Sequence, residues 1–424
     1  MLSEQITRLA RRYLIGTDTQ FIFKRARSVE LPQIRQIGLY IHIPFCKNEC
    51  PYCPYNKVKY DSQLAEPYLK AVLSEIEQYY NRLGRIEISS IYIGGGTPTT
   101  FIDELRIIIN KIKKKFIILN DICIETNPSD ITEEVVRKLS EYGVSLVSLG
   151  VQSFDDKYLK LIGRSYKADT LYPAIERVLS ADFKSVNLDL MFALPGQTIK
   201  DVLSDLKKAT ESGANQITTY PLFTFPYSIV GRYLKLKRVK MSNSVTRRRM
   251  YRAIHEHCLS KGFQRVSVWG FKRGEAPRYS SVTRDYYIGI GAGAGSHIPG
   301  AFYLNTFSVN EYVRNCLNNK LPIALKMDFT DSLSQYYWLY WRFYDTYIMK
   351  RQLFEVFDRH DRKIRQLLRL SQAFGLCEED EERVFLTERG AFWIHLAQNY
   401  FVLNYIDKVW SVAMKEAWPK EVKI

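Results

Sequence analysis

The chain has 424 residues, 46% of them hydrophobic, and its 61 Lys and Arg against 45 Asp and Glu give a formal net charge of +16. That length allows roughly two or three domains with a large core and no disulfide staples. The seven cysteines, three grouped and Cys123, Cys258, Cys316 and Cys377 scattered, exclude a disulfide framework and fit a reducing cytoplasmic interior. No apolar run of about 18 residues could span a membrane, and the N-terminus lacks a secretion-signal pattern. The positive field attracts anions. The basic clusters Lys111–Lys115, Lys235–Arg238 and Arg247–Arg249 belong to no familiar nucleic-acid module, so nucleic acid is not expected.

Residues 1–36 are an N-terminal arm, where Ile6, Leu9, Ala10 and Leu14 recur at helical spacing beside arginines. The stripe fits a helix packed on its own domain, with peripheral membrane contact as the other reading. From Ile37 to residue 235 short apolar strands alternate with amphipathic helices. Strands are expected at Ile37–Ile43, Ile86–Ile93, Phe116–Glu125, Ser145–Gly150, Ser185–Met191 and Gln216–Pro221, and helices at Glu66–Leu83, Thr132–Tyr142, Ala168–Ser180 and Ile199–Ser212. Repeated βα units indicate an α/β barrel or partial barrel, with chemistry at the C-terminal ends of its strands. Residues 236–330 form an extension with a helix at Asn243–Lys261, a strand at Gln264–Phe271 and a Gly-rich turn at Tyr286–Ala294. Residues 331–424 are mostly helical.

The segment Tyr40-Ile-His-Ile-Pro-Phe-Cys46-Lys-Asn-Glu-Cys50-Pro-Tyr-Cys53 presents Cys-x3-Cys-x2-Cys. Three soft thiolates at this spacing suit an iron–sulfur cluster with one iron free of protein ligands. A zinc site is the alternative, although zinc usually takes four ligands and no second cysteine pair follows. Tyr40, Phe45, Tyr52 and Tyr55 put aromatic surface around the thiols, and such rings exclude water from a reactive centre. Phe45 reads equally well as core.

Further motifs follow in order: Gly94-Gly-Gly-Thr-Pro98, Glu125-Thr-Asn-Pro128, Ser148-Leu-Gly-Val-Gln152, Gly163-Arg164, Leu188-Asp189 through Pro195 to Thr198, and Gly289-Ile-Gly-Ala-Gly-Ala294. Together with the cysteines they resemble the radical S-adenosylmethionine (SAM) superfamily, and within it the oxygen-independent coproporphyrinogen III oxidase-like family. The resemblance implies a partial (β/α)6 TIM-type barrel with a winged-helix-like C-terminal domain, the wing lying near Leu376–Gly390. It implies a [4Fe–4S] cluster on Cys46, Cys50 and Cys53, with SAM on the open iron and broken homolytically. Tyr40, Tyr52, Gly94, Gly95, Gly96, Thr97, Glu125, Gln152, Arg164 and Asp189 match the family's SAM contacts. Arg164 suits the methionine carboxylate, the glycines let backbone approach the amino group, and Glu125 and Asp189 suit amine or ribose hydroxyls. A flavodoxin or ferredoxin as reducing partner is implied as well.

The substrate stays open. The oxidase of this family carries a further cysteine two residues after the third, where this chain has Tyr55. Haem carriers of the family show His-Asn-x-x-Tyr-Trp before the Gly-rich turn, where this chain has Ser281-Val-Thr-Arg-Asp-Tyr-Tyr287. By elimination the expected reaction is the two-SAM chemistry of the class C methyltransferase branch, which methylates or cyclopropanates an sp2 carbon of a quinone, heteroaromatic or tetrapyrrole. The turn Gly289–Ser296 would border the second SAM. Decarboxylation of coproporphyrinogen III and a non-catalytic haem or cluster carrier are the alternatives.

Overall fold

The computed structural model describes residues 21–225, 227–228, 241–279 and 285–424. The helical stripe at Glu4–Leu14, the basic cluster Lys235–Arg238 and the segment 281–284 lie outside the described residues. Six parallel strands form the barrel wall: β1 (Gln36–Ile43), β2 (Glu87–Gly95), β3 (Ile122–Thr126), β4 (Val144–Gln152), β5 (Ser185–Phe192) and β6 (Gln216–Pro221). Between them run α1 (Ser62–Leu83), α2 (Ile102–Lys115), α3 (Glu133–Tyr142), α4 (Leu171–Leu179) and α5 (Ile199–Glu211).

Side chains alternate across a strand, and here the alternation separates core from chemistry. Ile91, Ile93, Ile124, Leu149, Leu188 and Ile217 point toward the helices and are fully buried. Tyr92 and Gly94, Glu125, Ser148 and Gln152, Asn187 and Asp189, Thr218 and Tyr220 take the other parity and line the lumen. Each outward aliphatic contributes about 1.5–3 kcal/mol by burial. The helices start at side-chain caps: Asp61 for α1, Thr132 for α3, and Thr198 with Asp201 as a reciprocal box for α5. Helix α3 stops at Gly143, whose φ of 82° suits a residue without Cβ.

The sheet continues past β1. Strand β7 (Tyr287–Ile290) pairs with β1 in parallel. Antiparallel strands Gly295–Ile298, Ala301–Asn305, Ile323–Asp328, Ile22–Arg25 and Glu421–Lys423 follow in that order. Beyond β6 the helix α6 (Ser244–Ser260) leads into the hairpin of Gln264–Arg265 and Gly270–Lys272. Three local expectations are corrected. Phe116–Glu125 is broken into Ile117–Ile118 and β3, because Asn120 donates to the Ser89 carbonyl and Asp121 accepts from Ser145 and Lys184. Gln264–Phe271 reverses at Ser267, whose hydroxyl accepts the Gly270 N–H. Tyr286–Ala294 is half strand, Tyr287–Ile290, and the Gly-rich turn is confined to Gly291–Ala294.

Near the C-terminus the helix Arg362–Ala373 precedes two wing strands, Cys377–Glu379 and Arg383–Leu386, which pair with each other, the second also pairing with Tyr347–Met349. Helix α7 (Glu388–Phe401) then passes through a π-helical turn, Val402–Ile406, into α8 (Asp407–Ala413).

Glu75 on α1 ties the Gly-rich turn to the barrel. Its carboxyl accepts from Gly291 N–H (2.9 Å), Asn305 Nδ2 (2.8 Å) and the Tyr312 hydroxyl (2.7 Å). Burial pushes it up to about 7 in spite of these bonds. The native state therefore favours the protonated acid. The stabilisation is complete below about pH 4.5 and lost as pH rises through about 7, a swing of about 3 kcal/mol. Glu75→Gln is expected to remove this slope, read as the difference between the two proteins' thermal midpoints from pH 4 to 8. Parallel curves would rule the assignment out.

Candidate active site

The cysteine loop leaves the C-terminal end of β1 and returns to it. Val58 N–H donates to the Pro44 carbonyl (2.8 Å) and Tyr60 N–H to the Cys46 carbonyl (2.9 Å), so residues 46–57 close on themselves. Phe45 is core: it is fully buried, with the rings of Tyr60, Tyr68 and Phe101 at 5.3–5.7 Å. Asn56 anchors the far side, donating to the carbonyls of Ala292 (3.1 Å) and Phe307 (2.9 Å). His42 Nε2 lies 2.8 Å from the Asn56 carbonyl, which only accepts, so Nε2 carries the proton and Nδ1 receives the Tyr40 hydroxyl at 2.8 Å. Burial holds His42 down to about 4, hence neutral.

Cys46 is buried, whereas Cys50 and Cys53 are partly exposed. Burial pushes the Cys46 thiol up to about 12, opposed by the Thr97 hydroxyl, which donates to its sulfur at 3.7 Å. Cys53 is raised too, first by burial, while Lys57 and the Tyr55 N–H on its sulfur act against this. A metal must therefore displace protons to bind. The thiols perturb one another's ionisation, yet among the described residues no three ligating side chains are gathered for a single ion. A cluster, which takes one thiolate per iron, fits that wider spacing. Gly96 adds a cradle: a Cβ there would stand 2.9 Å from the Cys46 sulfur and 2.7 Å from the Phe45 carbonyl oxygen.

The other expected residues fall into three groups around this loop. Glu125 accepts the Tyr92 hydroxyl and the Gly95 N–H, and a Cβ at Gly94 would meet its Oε2 at 2.9 Å. Gly95 itself has φ of 120°, which side chains rarely adopt. Asp189 accepts from Ser148 (2.8 Å) and Asn187 (2.9 Å), and Asn187 in turn accepts from Thr218 (2.9 Å). Burial pushes Asp189 up to about 7, and the Glu125 charge adds to this. Gln152 and Arg164 meet over Gly150, where a Cβ would lie 2.9 Å from Gln152 Nε2 and 3.5 Å from Arg164 Nη2.

Gln152 holds a left-handed φ of 70° at a register shift of β4 and receives the Tyr220 hydroxyl at 2.5 Å. Such strain persists where surroundings over-determine it, often at functional positions. Arg164 donates through Nη2 to the Tyr52 hydroxyl (2.9 Å), while its Nε is sealed from solvent without an acceptor among the described residues. A narrow, solvent-open cleft joins Cys50, Thr97, Asn127, Gly163 and Arg164.

Sequence reasoning missed Tyr92, Tyr220, Ser148 and Asn187, which fix Glu125, Gln152 and Asp189. For Ser148 and Asn187 strand parity was the available signal, since they lie four and two residues from Gln152 and Asp189. Tyr55 keeps 48% of its surface, yet its hydroxyl is pushed up by surrounding protein, with Glu125, Cys53 and Asp189 in electrostatic reach. It therefore stands in a hollow of the lumen, beside Tyr40 and Tyr92 stacked at 6.1 Å.

The radical SAM superfamily model matches residues 40–209. The heme chaperone HemW of Lactococcus lactis is 30% identical over 282 residues, covering 65% of this chain and 73% of the relative. Anaerobilin synthase of Escherichia coli O157:H7 is 25% identical over 364 residues, covering 84% and 81%. The solved coproporphyrinogen III oxidase (HemN) of Escherichia coli shares the fold, with a TM-score of 0.75 at 20% identity over 92% of this chain and 98% of that one. Among the described residues no helix is long and apolar enough to cross a membrane.

Proposed function

Because the chain belongs to the radical SAM superfamily and, within it, to the oxygen-independent coproporphyrinogen III oxidase-like family that includes HemN and HemW, we propose that it cleaves SAM reductively and modifies an sp2 carbon of a flat substrate in the tyrosine-lined lumen. The reading rests on one convergence: Cys50, Thr97 and Arg164 face a common cleft, with an Arg164 Nε that lacks an acceptor. When bound, a [4Fe–4S] cluster on Cys46, Cys50 and Cys53 supplies the electron that breaks the sulfonium C–S bond of SAM.

The chain's own groups do the rest. Arg164 binds the methionine carboxylate, charge to charge. Glu125, braced by Tyr92, and the Gly94–Gly96 backbone take the amine, and Asp189 takes hydroxyls, donating when protonated and accepting when ionised. Tyr40, Tyr52 and Tyr55 keep water out.

For the reaction we retain methyl transfer from a second SAM, supported by two departures of the sequence: Tyr55 in place of a cysteine, and Ser281–Tyr287 in place of a carrier motif. No relative's name speaks for it. Relatives named heme chaperones favour a tetrapyrrole among the flat acceptors, and they support haem carriage as the second reading. Decarboxylation of a porphyrinogen loses its specific support, since Tyr55 stands where the oxidase of this family carries a further cysteine.

The test is anaerobic reconstitution with iron, sulfide, SAM and dithionite. 5′-Deoxyadenosine together with S-adenosylhomocysteine, formed once a tetrapyrrole is supplied, supports methyl transfer. Carbon dioxide from coproporphyrinogen would support decarboxylation instead. Tight haem binding with no SAM cleavage would establish the carrier and overturn the enzyme reading.

A further inference from the structure

The π-helical turn at Val402–Ile406 has a consequence at the cysteine loop. A π turn holds an extra residue, which rotates the following helix by about 100°. Helix α8 thus buries Val409 and Ala413 against Phe23, Leu304, Phe307 and Leu325, while Trp410 turns toward the loop. The Trp410 ring lies 6.0 Å from that of Tyr55, 6.0 Å from Phe225 at an interplanar angle of 8°, and 6.2 Å from Phe307. A further tie holds the same corner: the Tyr227 hydroxyl donates to the Pro54 carbonyl at 2.9 Å. The base is rigid, because the chain after α8 pairs Glu421–Lys423 with Ile22–Arg25.

Tyr55, two residues after Cys53, is thereby held by its ring. We propose that Trp410 is a positioning residue for the third thiolate: by bracing the Tyr55 ring it holds the segment that carries Cys53, so that the C-terminal helix sets the surroundings of the cluster site. The inference rests on the cluster reading above. The reduction potential of a cluster follows the hydrogen bonding and solvent exposure of its thiolates. Without the Trp410 ring, Tyr55 is free to swing into the hollow beside it, and Cys53 loses its fixed position and shielding.

The test uses Trp410→Ala and Trp410→Phe in the full chain. In the metal-free proteins, hydrogen–deuterium exchange of the peptide spanning 51–57 is expected to be several-fold faster in W410A and close to wild type in W410F, with the peptide covering Gln36–Ile43 unchanged. In the reconstituted proteins without SAM, a potentiometric titration followed by electron paramagnetic resonance is expected to show a shifted midpoint in W410A, restored in W410F. Unchanged exchange or an unchanged potential in folded W410A would overturn the proposal, as would acceleration throughout the chain. If W410A does not fold, Phe225→Leu, which removes the opposite face of the stack, carries the same two measurements. Wild-type protein that takes up no cluster would instead sink the cluster reading, and the exchange data would still decide whether Trp410 braces the loop.

Discussion

Purified without oxygen, Cys46→Ala, Cys50→Ala and Cys53→Ala are each expected to lose reductive SAM cleavage entirely, with iron and sulfide content falling toward background. Two thiolates cannot hold a cuboidal cluster with its fourth corner free. The three positions differ in what else they do. Cys46 is buried under the Thr97 hydroxyl and beside Gly96, so its loss also leaves a small void. Cys50 borders the open cleft, and its loss should leave the thermal midpoint of the metal-free protein unchanged. Cys258→Ala is the control: that thiol is fully buried on α6, away from the loop. It is expected to keep full cleavage at a cost in stability of about 1 kcal/mol. Cleavage surviving in any of the three loop variants would end the cluster assignment.

Arg164→Met is expected to weaken SAM binding roughly 30-fold or more, since removing one partner of a desolvated charge pair costs about 2 kcal/mol or more. The SAM-free protein should keep its thermal midpoint or gain a little. The native side chain satisfies Nη2 on Tyr52 but leaves Nε sealed without an acceptor among the described residues, and an uncompensated polar group of that kind is a cost to the SAM-free protein. Equilibrium dialysis with labelled SAM against the oxidised, reconstituted protein separates binding from chemistry. Undiminished binding would mean that another cation takes the carboxylate.

The cysteine loop was legible because its information is local: three ligands within eight residues need no knowledge of the fold. The strands were legible for a different reason. Buried on both sides, they read as apolar runs punctuated by helix caps, and β6 agrees with its expectation to the residue. What stayed hidden was carried by side chains that look ordinary in sequence. Tyr92 reads as one more strand aromatic, and only the closure of the barrel brings its hydroxyl onto Glu125, 33 positions away. Trp410 lies in an unremarkable helix, and its partner Tyr55 is on the far side of the chain. The hairpin at Ser267 and the break at Asn120 failed for the complementary reason: hydrogen bonds from neighbouring segments overrode a continuous β-like pattern.

The pairing of Ile22–Arg25 with Glu421–Lys423 bears on how the molecule is made. Translation at about 5–20 residues per second separates the emergence of these two strands by roughly 20–80 s. During that interval one margin of the large sheet has no neighbour on that side, and such naked edges invite association between nascent chains. The later-made strand is thus the one that covers that margin, which makes slow, low-temperature expression the natural route to monodisperse material.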